Sequence, residues 1–121
     1  MGLQDVENYK EKRLIVFCKH AIGLEKYKPI IDKLNKKYVV TEDEYKLICE
    51  ESVKTGYMKT VIMPKSHNNI KIYSMKYILL NSGLSYLKIE LEALSRSQLK
   101  KAIDWIKKNA SIFKLILELF K

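Results

Sequence analysis

The sequence predicts an α+β fold in which helices at both ends flank a three-stranded antiparallel meander. Three observations carry that expectation. Apolar residues recur at three-to-four spacing before Gly56 and again after Ser95. Between those points they alternate with polar ones over three runs. KSHNN and NSG supply turn chemistry between the runs. At 121 residues and 47% hydrophobic content, the chain is expected to form one domain across 1–121.

The first run, QDVENYKEKRLIVFCKHAIG, places Val6, Leu14, Ile15, Phe17, Cys18, Ala21 and Ile22 on a helix ended by Gly23, with a strand over 14–18 as the alternative. Leu24, Tyr27, Ile30, Ile31, Leu34 and Tyr38 define a second, amphipathic helix, with Pro29 suited to its first turn. Thr41 with Glu44 is a capping box, and Glu42 and Asp43 favour the same helix start. That helix runs through Tyr45, Leu47, Ile48 and Val53 and stops near Gly56. YMKTVIMP and IKIYSMKYILL read as the first two strands. In SYLKIELEAL, the third, Leu87, Ile89, Leu91 and Ala93 oppose Tyr86, Lys88, Glu90 and Glu92. Ser95 with Gln98 is a second capping box, opening a helix with Leu99, Ala102, Ile103 and Ile106 on one face. Asn109-Ala110-Ser111 is placed to break or bend it. The last segment carries Ile112, Phe113, Leu115, Ile116, Leu117, Leu119 and Phe120, apolar almost all round, as a helix buried in its domain or in a partner is.

Tyr77-Ile-Leu79-Leu-Asn-Ser-Gly83-Leu-Ser-Tyr-Leu87 resembles the end of a winged-helix domain. In that family a wing strand bearing an aromatic and a leucine leads through a polar residue and a glycine into a C-terminal helix. Leu80 stands where the family usually has threonine. The resemblance implies an alternative fold, a winged helix-turn-helix with extra terminal helices. Its helix-turn-helix would span 41–62 with 54–62 as recognition helix, and its wing would span 63–77. Leu84, Leu87, Leu91 and Leu94 would form a dimerisation seam. Pro64, which would truncate such a recognition helix, and the Ser95/Gln98 box point to the meander instead.

The formal charge is +9, and all but Arg13 and Arg96 of the 23 basic residues are lysine. Such a balance attracts nucleic acid, anionic membrane surfaces or acidic partners, although a lysine-rich genomic composition gives it too. Cys18 and Cys49 lie in apolar stretches and are expected to be free thiols rather than a disulfide framework. The polar start MGLQDVENYKEKR reads as neither an export signal nor a myristoylation site, so the expected location is cytoplasmic.

No Asp or Glu occurs across 52–89, although the chain has 14 acids. That segment holds Lys54, Lys59, Lys65, Lys71 and Lys76, which suit phosphate contact. His67, Asn68 and Asn69 sit in its turn, and Tyr73 and Tyr77 offer faces for stacking on bases. Along the strand, Lys71, Tyr73 and Tyr77 share a face, which Lys59 on the neighbouring strand is expected to extend. The bland alternative makes Tyr73, Met75, Tyr77 and Leu79 a core face covered by helices. The expected ligand is therefore a nucleic acid of unspecified type, bound by a non-enzymatic homodimer joined through its apolar C-terminal segment. No membrane, small-molecule substrate, cofactor or metal is expected. The alternative is a protein–protein accessory module with no nucleic-acid ligand. Glu90 and Glu92 beside Lys88 are the only candidates for a metal-dependent nuclease, and 52–89 contains no acid to complete a metal pair. Cys18 and His20 point about 200° apart on a helix, against zinc. Arg96, Lys100, Lys101, Lys107 and Lys108 read as a solvated helix face around Asp104.

Overall fold

The computed structural model describes residues 6–119; residues 1–5, Phe120 and Lys121 lie outside it. Its element order is α1 (Tyr9–Lys19), a 3-10 turn (Glu25–Tyr27), α2 (Lys28–Lys37), α3 (Glu42–Lys54), β1 (Met58–His67), β2 (Ile70–Leu79), α4 (Asn81–Lys108) and α5 (Ala110–Leu119). The class is α+β, with five helices and one two-stranded antiparallel sheet among the described residues. No helix among them is long and apolar enough to cross a membrane.

The core forms around α1. Leu14, Ile15, Val16 and Phe17 are consecutive and all buried, because α2, α3 and α4 surround this helix. Leu24, Tyr27, Ile30 and Leu34 close one side, Ile48 and Cys49 of α3 another, and Leu87 and Leu91 of α4 a third. Pro29 lies in the first turn of α2, where its missing N–H costs nothing. The Thr41/Glu44 capping box forms: Thr41 Oγ1 accepts from the Glu44 N–H at 3.2 Å, and Glu44 Oε1 accepts from the Thr41 N–H at 3.1 Å. Glu44 Oε2 also accepts from Lys12 Nζ at 2.6 Å, tying α3 to α1. That hydrogen bond and the cap hold the Glu44 carboxyl below its ordinary value.

Aromatic rings fill the junction of α1, β1 and α4. Tyr57 stacks on Tyr86 at 5.0 Å, and Phe17 meets both edge-on. The Arg13 guanidinium lies 4.6 Å from the Tyr86 ring centroid and donates to the Tyr86 hydroxyl. Next to this cluster the start of α4 is clamped to the start of β1. The Tyr57 carbonyl accepts from the Leu80 N–H at 2.9 Å, and the Gly56 carbonyl accepts from Ser82 Oγ at 2.6 Å. Gly83 makes the approach possible: a Cβ there would collide with the Tyr57 carbonyl oxygen and lie 2.5 Å from Leu79 Cδ1.

Several sequence expectations are corrected. The meander has two strands, not three, because SYLKIELEAL belongs to α4. Leu87 and Leu91 fit either period, but Ile89, which a strand would bury with them, is 67% exposed. Leu84, Leu87, Leu91 and Leu94 are indeed at helical spacing, but Leu87 and Leu91 are buried in the chain's own core with Leu94 packed against it, which takes those three out of a seam facing a second chain. Ser95 and Gln98 lie within continuous α4, so their capping box starts nothing. Residues 54–62 are not a recognition helix, since α3 ends at Lys54 and β1 begins at Met58. The strand alternative over 14–18 is helix, and that helix ends at Lys19, before Gly23. Asn109 does break the last helical stretch, between α4 and α5.

Gly83→Ala is expected to lower stability by about 1–3 kcal/mol, as an overpacked methyl does, measured by urea denaturation; an unchanged midpoint contradicts the clamp. Glu44 titrates below its ordinary 4.5 when folded. The stability it contributes is therefore present above 4.5 and lost as pH falls through the lower folded-state value. Thermal unfolding followed downward past pH 4.5 should show the parent losing stability faster than Glu44→Gln, whereas parallel curves contradict the pairing.

Candidate nucleic-acid interface

β1 and β2 form a long hairpin in full register from Met58↔Leu79 to His67↔Ile70. Ten residues per strand give it a length of about 33 Å. Asn68 and Asn69 make the turn with φ of 50° and 65°, the left-handed pair of a two-residue type I′ loop that asparagine tolerates well. Lys65, Ser66 and His67, expected in the turn, are thus strand residues. Pro64 sits within β1, which a two-stranded ribbon permits because each strand has an unpaired edge.

Only the base of the hairpin is packed. Met58 is buried and Val61, Tyr77 and Leu79 are half-buried, while every residue from Ile62 to Lys76 is exposed. Tyr73 and Met75 are therefore not core; they are 64% and 60% exposed, and no helix covers them. Tyr77 lies in an open hollow of about 360 Å³ with Thr60, Met75 and the α3 residues Glu50, Val53 and Lys54. Burial, then the Glu50 charge, raises its hydroxyl above the ordinary value.

Register divides the expected contact set. Directly paired residues share a face, so odd positions of β1 lie with even positions of β2. One face carries Lys59, Lys65, His67 and Lys76, and the other carries Lys71, Tyr73 and Tyr77 with Thr60, Ile62, Pro64 and Met75. Lys71, Tyr73 and Tyr77 do share a face as expected. Lys59 does not extend it; it is opposite Ile78 on the other side. Lys59, Lys65, His67 and Lys76 each pair across the ribbon with an aliphatic residue, which keeps like charges from direct opposition. Lys54 is not on the ribbon but at the end of α3, exposed, where it lines the hollow beside Thr60, Met75 and Tyr77 at the ribbon's base.

Four ion pairs occur among the described residues: Lys10–Glu90 (3.0 Å), Lys12–Glu44 (2.6 Å), Lys26–Glu92 (3.6 Å) and Arg96–Glu92 (4.0 Å). All lie on the helices and their connections. None involves Lys59, Lys65, Lys71 or Lys76. Glu90 and Glu92 do not share a face, because two residues apart on α4 they diverge by about 200°. Glu90 holds Lys10, and Glu92 accepts from the Tyr27 hydroxyl at 2.9 Å. No cluster of three or more His, Cys, Asp or Glu among the described residues could hold a metal ion.

Sequence spacing does not place His20 beside the hairpin, yet it lies within reach of the Lys76 charge, and Lys19 next to it sits over the Tyr45 ring of α3. His20 bonds the Tyr45 hydroxyl, and it is pushed below its ordinary value by burial first, then by the charges of Lys19 and Lys76. Tyr45 is itself raised to about 12 by burial. The outer face of α3 differs sharply from the hairpin. Glu42, Asp43 and Glu50 are exposed there beside Lys46 and Lys54.

No known family, curated protein or solved structure matches the chain.

The turn geometry is testable by hydrogen exchange. Asn69→Val forces a β-branched residue into the left-handed region at about 1–2 kcal/mol, so protection of the hairpin amides should fall, while Asn69→Gly should preserve it. Equal protection in the two variants contradicts the type I′ turn.

Proposed function

We propose that the chain is a winged helix-turn-helix protein that binds nucleic acid chiefly through its wing, as a non-enzymatic regulator or genome-associated accessory factor. In this reading α2 and α3 are the helix-turn-helix pair, β1–β2 is the wing, and α4 is the C-terminal helix that follows it. The order of three helices, a hairpin and a long helix supports the architecture.

One observation carries the ligand: Lys59, Lys65, Lys71 and Lys76 project on an acid-free ribbon with no carboxylate partner among the described residues. A two-stranded ribbon fits the duplex major groove, which is about 12 Å wide. Lysines on both faces then reach phosphates on either side of the groove. Tyr73 at 64% exposure and the Asn68–Asn69 tip are the groups that meet bases. α3 has a lesser part than its position in the motif suggests. Glu42, Asp43 and Glu50 on its outer face repel phosphate, against the attraction of Lys46 and Lys54.

A second reading, a protein-binding module with no nucleic-acid ligand, is favoured by those same α3 carboxylates and by the apolar residues Ile62 and Met75 on the exposed ribbon.

Fluorescence anisotropy with duplex and single-stranded oligonucleotides separates the two. Four lysine–phosphate contacts give a slope of log affinity against log salt near −4 for duplex, or roughly a hundredfold loss between 50 and 200 mM. Lys65→Glu/Lys71→Glu should weaken binding at least about tenfold across unrelated sequences and flatten that slope by about 2. Glu42→Gln/Asp43→Asn should strengthen it. Binding unchanged by the lysine reversal contradicts the wing assignment, and no binding to either polymer at low salt favours the second reading.

A further inference from the structure

We infer that the C-terminal arm, α4 beyond Leu99 together with α5, is the contact surface for a second copy of this chain. Only the first half of α4 packs on the body: Gly83, Leu87 and Leu91 are buried, and Leu84 and Leu94 half-buried. Among the described side chains from Leu99 to Leu119, all are exposed except Asn109, which is half-buried. The arm is nevertheless apolar. Leu99 is 62% exposed, Leu115 62%, Leu117 63% and Leu119 82%, with Ile103, Ile106, Ile112 and Ile116 between 43% and 52%.

The pattern along the arm is that of helices built to be covered. On α4, Leu99, Ala102, Ile103 and Ile106 fall in one sector at helical spacing, and Lys100, Lys101, Asp104, Lys107 and Lys108 fall in another. On α5 the polar residues Ser111, Lys114 and Glu118 form one narrow stripe, and apolar residues occupy the rest. The apolar sector therefore widens from one side of α4 to most of the circumference of α5. A single flat partner surface leaves part of α5 in water. A second arm running antiparallel across a two-fold axis sets each α5 against the α4 sector of the other copy, so that one self-complementary contact covers apolar residues of both helices.

The areas agree. A compact monomer of 14.2 kDa exposes about 6,800 Å² by the usual scaling with mass, whereas this chain exposes 9375 Å², an excess of roughly 2,600 Å². The hairpin accounts for part of it. A standard stable interface takes about 800 Å² from each partner, so the arm has surface enough for one. The basic sector, opposite the apolar one, stays in solvent in such a pair.

The test is the mass of the full chain without nucleic acid, by light scattering coupled to size exclusion at micromolar concentration, so that its outcome is independent of the wing. The parent should give twice 14.2 kDa. Ile103→Glu/Ile106→Glu on α4 and, separately, Leu115→Glu/Leu117→Glu on α5 should each weaken self-association at least about a hundredfold, the usual consequence of burying an unpaired charge, and give 14.2 kDa. Since none of these side chains reaches the core, both variants should keep the parent's circular dichroism and melting behaviour of the body. Lys100→Glu/Lys107→Glu, on the other sector, should leave the doubled mass intact. A parent of 14.2 kDa overturns the inference, as does a doubled mass that both arm variants retain. Monomeric parent that floats with phosphatidylserine vesicles also overturns it, in favour of a lipid surface.

Discussion

The molecule depends on one close approach, that of the α4 backbone at Gly83 to the Tyr57 carbonyl. It fixes where β1 begins, where β2 returns and the direction in which α4 leaves. Gly56, with φ of +83°, turns the chain out of α3 immediately before it, and Ser82 ties back to the Gly56 carbonyl. The Tyr57 side chain then enters the Phe17–Tyr86–Arg13 cluster, which couples the same point to α1. Both projecting parts of the chain, the ribbon and the arm, start from this junction. The Arg13 cation stacks on the tyrosine rings and donates to the Tyr86 hydroxyl, while its buried Nε has no hydrogen-bond partner among the described residues.

Charge is sorted by element rather than spread evenly. Carboxylates near the body are engaged: Glu44 caps α3 and holds Lys12, Glu90 holds Lys10, and Glu92 serves Tyr27, Lys26 and Arg96. The ribbon has only lysines, and its geometry keeps them apart by pairing each with a neutral residue across the strands. No carboxylate on the ribbon itself offsets these charges, and α3 beside its base has the opposite tendency, with Glu50 next to Tyr77. This partition is what distinguishes contact through the ribbon from insertion of α3 into a groove.

Most signals that act within a few residues were legible in the sequence, the exception being the Ser95/Gln98 box, which lies inside continuous α4. The Thr41/Glu44 box, the Pro29 start and the Asn109 break all appear where their local chemistry requires. The carboxylate gap likewise translates directly into an acid-free ribbon. The failures came from segments where two periods coexist. Leu87 and Leu91 satisfy both alternation and helical spacing, and only the burial of Gly83 and the exposure of Ile89 decide between them. The face assignment of Lys59 failed for a different reason. It depends on the register sum between strands, set by a two-residue turn that Asn68-Asn69 makes and KSHNN as a whole does not. Contacts between remote segments, such as His20 with Tyr45 or Arg13 with Tyr86, have no sequence signal at all.

The wing as the principal contact is the claim on which the functional account stands, and hydrogen–deuterium exchange with and without saturating duplex DNA tests it most directly. The account predicts new protection across 59–76, centred on the Asn68–Asn69 tip, with the outer face of α3 little changed. Protection confined to α3 or to the arm, with the hairpin amides exchanging as they do in the free protein, would contradict it.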